Sequence, residues 1–266
     1  MLLHSQLISS KHLVEMFIKT RVFTKIKNWP VILGDYFNFS PGGTYLIHLN
    51  KKGLLRLRRG TTDKWSVHEI VLRDDYRISS LPYSDCNIVD LGANAGVFSI
   101  YTALLRPNAK IYSYEPENHN FSLLLGNIKL NHLPNVKPYM LACTYKPRSN
   151  KLYLGSDNRA YSLIKQPKTP FKLIKTTTLK KIFDKSKIHI CELLKMDIEG
   201  SEYKVLYSCP KSLFKKIKRI SLEYHNGDKS KNTGTELGNF LKKMGYKVEI
   251  RKSPEGIIGM IYAQRS

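Results

Sequence analysis

The sequence predicts an α/β fold: a mostly parallel sheet that ends in an antiparallel hairpin, preceded by a small N-terminal α+β extension. Three observations predict it. From Asn87 onward, short apolar runs alternate with amphipathic runs of helix length, the pattern of strands joined by crossover helices. A glycine-containing turn follows the first of those runs. The last two β-like runs are joined through Ser253-Pro254-Glu255-Gly256 with no helix between them, so they must run antiparallel to one another.

The elements follow in order. Leu13 to Ile26 carries apolar positions at helical spacing with Lys and Arg between them, a basic amphipathic helix that packs on its own domain or rests on a membrane surface. Pro41-Gly42-Gly43 breaks the chain. Thr44–Leu49 and Leu54–Arg58 flank the turn Asn50-Lys51-Lys52-Gly53 and read as a hairpin, and Trp65–Leu72 as a short helix. Strands are then expected at 86–91, 110–114, 136–143, 191–196, 217–224, 246–251 and 256–263. Helices are expected at 96–105, 118–130, 179–183, 201–207 and 235–244. Between 144 and 175 the pattern is irregular, with β-like pieces at 151–154 and 161–165. This divides the chain into an extension over 1–80 and a main domain over 81–266.

The chain has 266 residues and 42% hydrophobic residues, enough for a packed core. Its formal charge is +23, densest from Lys165 to Lys187 and from Lys211 to Arg219. That excess solvates a surface or attracts an anionic partner such as a lipid surface, a glycan or a nucleic acid. The four cysteines, Cys86, Cys143, Cys191 and Cys209, form no C-x-x-C pair and have no His at zinc spacing. Free thiols and a cytoplasmic setting are the expectation, possible peripheral contact with a membrane included. No run reaches transmembrane length.

Four segments carry chemistry. In the first, Ile88-Val89-Asp90-Leu91 enters the turn Gly92-Ala93-Asn94-Ala95-Gly96, and Val97-Phe98-Ser99 opens a helix. Glycine lets the backbone turn tightly and a ligand approach it, and the helix start offers free N–H groups. The spacing is G-x-x-x-G, not the dinucleotide G-x-G-x-x-G, which disfavours a nicotinamide or flavin. In the second, Glu115 ends the next strand before Pro116, where an acid can accept from both ribose hydroxyls. In the third, Asp197, Glu199 and Glu202 follow a strand expected beside the first. Asp197, at the strand tip, suits catalysis or substrate binding, whereas Glu202 suits either the cleft or capping of the helix that follows. In the fourth, Glu223 and His225 share one face of a strand end, and His suits a general base near neutrality.

These motifs together resemble the FkbM family of methyltransferases. The resemblance rests on Val89-Asp90-Leu91-Gly92-Ala93-Asn94-Ala95-Gly96 with Phe98 and Ser99, on Tyr114-Glu115-Pro116 with Asn120, Leu124, Asn127 and Asn131, and on Lys195 through Glu202. Arg59-Gly60-Thr61-Thr62-Asp63 with Glu69 and Tyr76 is similar to that family's leading segment. It covers roughly residues 55 to 250. It implies a Rossmann-like class I methyltransferase fold, S-adenosylmethionine as donor, and O-methylation of a sugar or metabolite hydroxyl. Carried over by residue, it assigns Asp90, Gly92, Ala93, Asn94, Gly96 and Phe98 to the methionine loop and Glu115 to the ribose. It puts Asn131 and Ala142 near the adenine, and Asp197, Glu199 and Glu202 at the reaction centre. The basic N-terminus and the Lys-rich 165–187 stretch depart from the shared pattern.

The mechanism then expected is in-line attack of an acceptor hydroxyl on the methyl group, with Asp197 or His225 removing the proton and Glu199 positioning the acceptor. A divalent cation on the acidic cluster is a second route, but no ligand spacing in the sequence supports a metal. The rivals are an RNA methyltransferase, which the charge suggests, and a non-catalytic anion-binding protein on the same fold. No Asn/Asp-Pro-Pro-Tyr loop for a flipped base occurs.

Overall fold

The structure, a computed structural model, describes residues 22–37, 42–50, 53–146, 150–153, 170–225, 232–253 and 257–265. Of the leading basic helix only Val22–Lys25 (α1) falls within them. Trp29–Tyr36 (α2) follows, with Pro30 in its first turn, where a missing N–H costs nothing. β1 (Thr44–Leu49) and β2 (Gly53–Arg58) pair antiparallel from Thr44↔Arg58 to Leu49↔Gly53, the expected hairpin. The helix expected at 65–72 is in two parts. Asp63–Ser66 (α3) is α-helical, and Val67–Leu72 widens into a π-helix. Lys25 Nζ caps its end, donating to the carbonyls of Val71 at 2.8 Å and Leu72 at 2.9 Å.

The main domain alternates as expected: β3 (Cys86–Leu91), α4 (Val97–Leu105), β4 (Ala109–Tyr114), α5 (Asn118–Leu130) and β5 (Val136–Tyr139). Glu117 caps α5 by accepting from Asn120 N at 2.9 Å. The single strand expected over 136–143 is in fact two. The chain turns out of the sheet at Met140, and β6 (Ala142–Cys143) pairs instead with β9 (Thr176–Thr177). Between them β7 (Asn150–Tyr153) pairs with β8 (Phe171–Ile174); the β-like piece at 161–165 lies outside the described residues. Then come α6 (Leu179–Lys185), β10 (Cys191–Met196), α7 (Glu202–Tyr207), α8 (Lys211–Phe214), β11 (Ile217–His225) and α9 (Gly234–Lys243). Thr233 and Glu236 close a reciprocal capping box at the start of α9. β12 (Lys247–Lys252) and β13 (Ile258–Gln264) end the fold as an antiparallel pair.

Seven strands form the main sheet in the order β12-β13-β11-β10-β3-β4-β5. β3, β4, β5, β10 and β11 are parallel, and β13 pairs antiparallel with β11. β10 is buried along its whole length, as a central parallel strand covered on both faces must be. The chain order reverses at β3, which has β4 on one side and β10 on the other. Ligands of open parallel sheets bind at such a switch point, past the C-terminal ends of the strands. This is the Rossmann-like fold that the resemblance implied.

The leading segment shares its core with the sheet. Tyr45, Ile47, Leu55, Leu57 and the π-helix pack in one apolar cluster with Ile88, Phe98, Ile100 and Ile111. All four cysteines are free, with Cys143 and Cys191 buried. Among the described residues no helix is long and apolar enough to cross a membrane.

Candidate functional site: a cleft at the switch point

The turn after β3 is pinned on two sides. The N–H groups of Gly92 and Ala93 both donate to Tyr114 O at 3.0 Å, tying the turn to the end of β4. On the other side Asp197 N donates to Leu91 O at 3.0 Å. Gly92 has φ +79°, and a Cβ there would run into the backbone carbonyl of Asp197. Only glycine therefore lets the two strand ends approach this closely. Gly96 has φ +89° and begins α4; a Cβ there would come within 2.6 Å of Leu124. Asn94 takes a left-handed conformation at φ +49°, one that Asn tolerates better than most residues.

Glu115 follows β4 and faces this turn. Its Oε2 accepts from Asn94 N at 2.8 Å and its Oε1 from Glu117 N at 2.8 Å. The side chain is buried, and burial pushes its pKa up to about 7, against the pull of the Glu117 and Asn94 N–H groups. The carboxyl is thus poised to release its proton to solvent when a ligand offers it hydrogen-bond donors.

Beneath the turn lies a group that the sequence reading passed over. Lys195 is buried on β10, with its Nζ 3.0 Å from Asp90 Oδ1 and donating to Gly92 O at 2.6 Å. Burial opposes its charge, but Asp90 and Asp197 outweigh that and hold its pKa above the ordinary value. Asp90 is itself buried and accepts from Ser99 Oγ at 2.6 Å. The alternation of β10 would have placed Lys195 one residue inside the strand tip, but not its partner on the neighbouring strand.

A cleft opens past these strand ends. Gly92, Ala93, Asn94, Phe98, Glu115, Ala142, Asp197 and Glu199 line it, as the sequence reading expected. Leu141, Ala142, Cys143 and Leu152 give it an apolar wall, suited to a flat heterocycle. The leading segment closes the remaining side with Ser66, Glu69, Ile70 and Tyr76. Tyr76 donates to Asp197 Oδ2 at 3.4 Å. Asp197 Oδ1 is shut off from solvent with no hydrogen-bond partner.

A family model of the methyltransferase FkbM domain matches residues 90–248. The chain belongs to the FkbM methyltransferase family. It is 24% identical over 223 residues to Methyltransferase 1 of Beauveria bassiana (strain ARSEF 2860), spanning 74% of this chain and 88% of that protein. It is 29% identical over 189 residues to Methyltransferase sdnD of Sordaria araneosa, spanning 58% of this chain and 72% of that one. The precorrin-6y C5,15-methyltransferase of Geobacter metallireducens GS-15 superposes with TM-score 0.46 at 16% identity, over 73% of this chain and 89% of that one. This FkbM protein is an S-adenosylmethionine-dependent methyltransferase.

The cleft fits that donor. A glycine turn with close backbone approach, a buried acid able to take two hydroxyls and an apolar wall stand in one cavity. The fold also corrects several expected roles in this FkbM chain. Asp90 and Gly96 do not line the cleft; they support the turn from below. Asn131, expected near the adenine, does not line the cleft. Its Oδ1 accepts from Leu54 N at 2.7 Å and its Nδ2 donates to Leu54 O at 2.7 Å, clamping β2 to the end of α5. Asn127 does the same one turn earlier, at Arg56. These amides mimic a neighbouring strand and satisfy the edge of the hairpin.

Glu202 and His225 also stand outside the cleft lining. Glu202 is fully buried and accepts from Ile198 N at 3.0 Å, closing the 197–202 turn. His225 lies behind it, Nδ1 3.4 Å from Glu202 and Nε2 3.5 Å from Glu199. Burial would lower its pKa, but the facing carboxylates of Glu202, Glu199 and Glu223 raise it well above the ordinary value. The expected free general base at His225 is thus a histidine outside the cleft, held between carboxylates that favour its protonated form. Although the sequence has no metal-ligand spacing, the ends of β10 and β11 bring ligand atoms of Asp197, Glu223 and His225 within 4.8 Å of one another. With His225 neutral the three could hold a cation, a grouping that the sequence did not show because two different strands supply it.

Proposed function

We propose that this enzyme O-methylates the hydroxyl of a sugar, a glycolipid or a small metabolite, with Asp197 as the proton acceptor. The observation that carries the reading is the Asp197 carboxylate. One of its oxygens is enclosed and unpartnered, in the same cleft as the glycine turn and Glu115. A buried acceptor without a donor is costly, and an acceptor hydroxyl would supply that donor.

S-adenosylmethionine supplies an activated methyl group on a sulfonium. The protein's part is to orient and to remove a proton. Glu115 accepts the ribose hydroxyls and the 92–96 turn receives the methionine end. Phe98 and Tyr76 pack edge to face with centroids 5.6 Å apart and exclude water from one wall. The acceptor oxygen stands at Asp197 Oδ1, giving up its proton as the C–O bond forms. Glu199 holds a neighbouring hydroxyl, and His225 fixes Glu199 and Glu202 in place by its charge.

The decisive experiment is methyl transfer to fractionated cell extract, followed by kinetics of Asp197→Asn and His225→Gln on the fraction that takes the label. Asp197→Asn should lower kcat by about 10²–10⁴-fold, with donor affinity kept. Near-normal turnover in Asp197→Asn would remove the base assignment, and label in RNA alone would replace the acceptor class. The Asp197–Glu223–His225 grouping favours a second reading, in which a divalent cation lowers the pKa of the acceptor hydroxyl. Loss of turnover to a chelator, restored by Mg²⁺, would select it.

A further inference from the structure

A row of lysines, unpaired among the described residues, crosses one edge of the main sheet. At the C-terminal ends of the parallel strands stand the cleft acids Glu115, Asp197 and Glu199, with Glu223 beside them. At the opposite edge, where those strands begin, stand lysines. Lys110 and Lys137 are the second residues of β4 and β5, and Lys247 opens β12. Lys187 precedes β10, and Lys215 and Lys216 precede β11. Register confirms that they share one edge. Lys216 O accepts from Cys191 N at 2.8 Å, and both Lys247 and Arg219 pair with Gln264. All six lysines are exposed, and among the described residues none of them is in an ion pair. Glu192, an acid of this edge, is matched by Lys218 at 2.9 Å.

Helix dipoles explain some basic residues at this edge, such as Lys242 and Lys243 in the last turn of α9. They do not explain lysines that begin strands. With neighbouring strands about 4.8 Å apart, the row runs about 30 Å across the sheet. Two apolar side chains project from the same edge: Tyr83 is 73% exposed and Ile190 47%. Asn87 at the base of β3 donates to Ile190 O at 3.0 Å, which places Ile190 at the centre of the row.

We propose that this edge docks on an anionic lipid surface, with the methyl-transfer cleft facing away from it. The chemistry favours lipid over nucleic acid. The row is built from lysine, a hydrated point charge, rather than the arginine fork that reads phosphates and bases. The nearby Arg106 is spent on the carbonyls of Ile78, Ser79 and Leu81. Exposed Tyr and Ile amid lysines supply the second, apolar signal that stable membrane contact needs. The acidic opposite edge orients the molecule in the surface field. A polyanion on the lysine edge also lies about 20 Å from the reaction centre, the length of a six-residue strand, so it is an anchor and not the methyl acceptor. The proposal does not depend on the acceptor class.

The test is co-sedimentation of the full chain with phosphatidylcholine vesicles, with and without about one-third phosphatidylserine. Two variants of equal net charge are compared. One carries Lys137→Glu, Lys187→Glu, Lys216→Glu and Lys247→Glu at the edge. The other carries Lys151→Glu, Lys175→Glu, Lys204→Glu and Lys252→Glu elsewhere. Calorimetric S-adenosylhomocysteine binding verifies that both are folded. Wild type should bind the anionic vesicles and lose binding at high salt. The edge variant should bind roughly tenfold or more weakly, the control variant close to wild type, and Ile190→Ser several-fold more weakly. Equal loss in the two variants, or no preference of wild type for anionic vesicles, overturns the proposal. Binding to an RNA oligomer that the edge variant loses, without vesicle binding, overturns it in favour of nucleic acid.

Discussion

Lys195 Nζ sits 3.0 Å from Asp90 Oδ1 on the neighbouring strand and donates to Gly92 O at 2.6 Å. One buried ammonium thus joins the strand that ends at Asp197 to the glycine turn of the cleft. Removing one partner leaves the other charge buried. Lys195→Met should destabilise the fold by about 3–5 kcal/mol, and Lys195→Met with Asp90→Asn by clearly less. Urea midpoints of the three proteins check this; additive losses would show that the two charges do not depend on each other.

Gly92 tests the closeness of the two strand ends. Gly92→Ala puts a Cβ against the Asp197 carbonyl at a positive φ. The expected outcome is a folded protein whose S-adenosylhomocysteine affinity falls at least about tenfold and whose melting point drops. Unchanged affinity by calorimetry would mean that the turn has room to move.

Glu115 makes donor binding depend on pH. Its folded pKa is about 7, raised by burial. The folded state therefore keeps a proton that the unfolded chain sheds at lower pH. That contribution to stability is complete below the ordinary carboxyl pKa and is lost as pH rises through about 7. Ribose hydroxyls need the carboxylate as acceptor, so affinity should strengthen up to tenfold per unit as pH approaches 7 from below, then level off. Calorimetry in two buffers of different ionisation heat should find proton release on binding between about pH 6 and pH 7. Glu115→Gln should bind weakly with no such slope.

Asn131 separates the structural role found here from the adenine role that the family pattern implied. Asn131→Ala strands both backbone groups of Leu54 and should cost about 1–3 kcal/mol. Donor affinity should stay within about twofold of wild type. A selective loss of donor binding at full stability would return Asn131 to the cofactor.

The order of strands and helices in the main domain was legible because burial on both faces writes continuous apolar runs. The break at Met140 was not, since 136–143 reads as one apolar run and the partner that draws Ala142–Cys143 away lies at Thr176–Thr177. The π-helix at Val67–Leu72 was read as an ordinary helix, because its periodicity is that of a helix and the Lys25 cap that closes it comes from 46 residues earlier.

At the site, local motifs determined the donor side. A G-x-x-x-G turn after a buried strand and an acid ending the next one are properties of adjacent residues, and backbone geometry turns them into a cradle. The tertiary structure decided everything that depends on which strands are neighbours. It set Lys195 against Asp90, turned Asn131 toward the hairpin and brought Tyr76 to Asp197. It also enclosed His225 among three carboxylates, which favour its protonated form and take it out of the cleft. The physical reason is that a side chain's charge and role are fixed by what is desolvated beside it, and those neighbours come from distant parts of the chain.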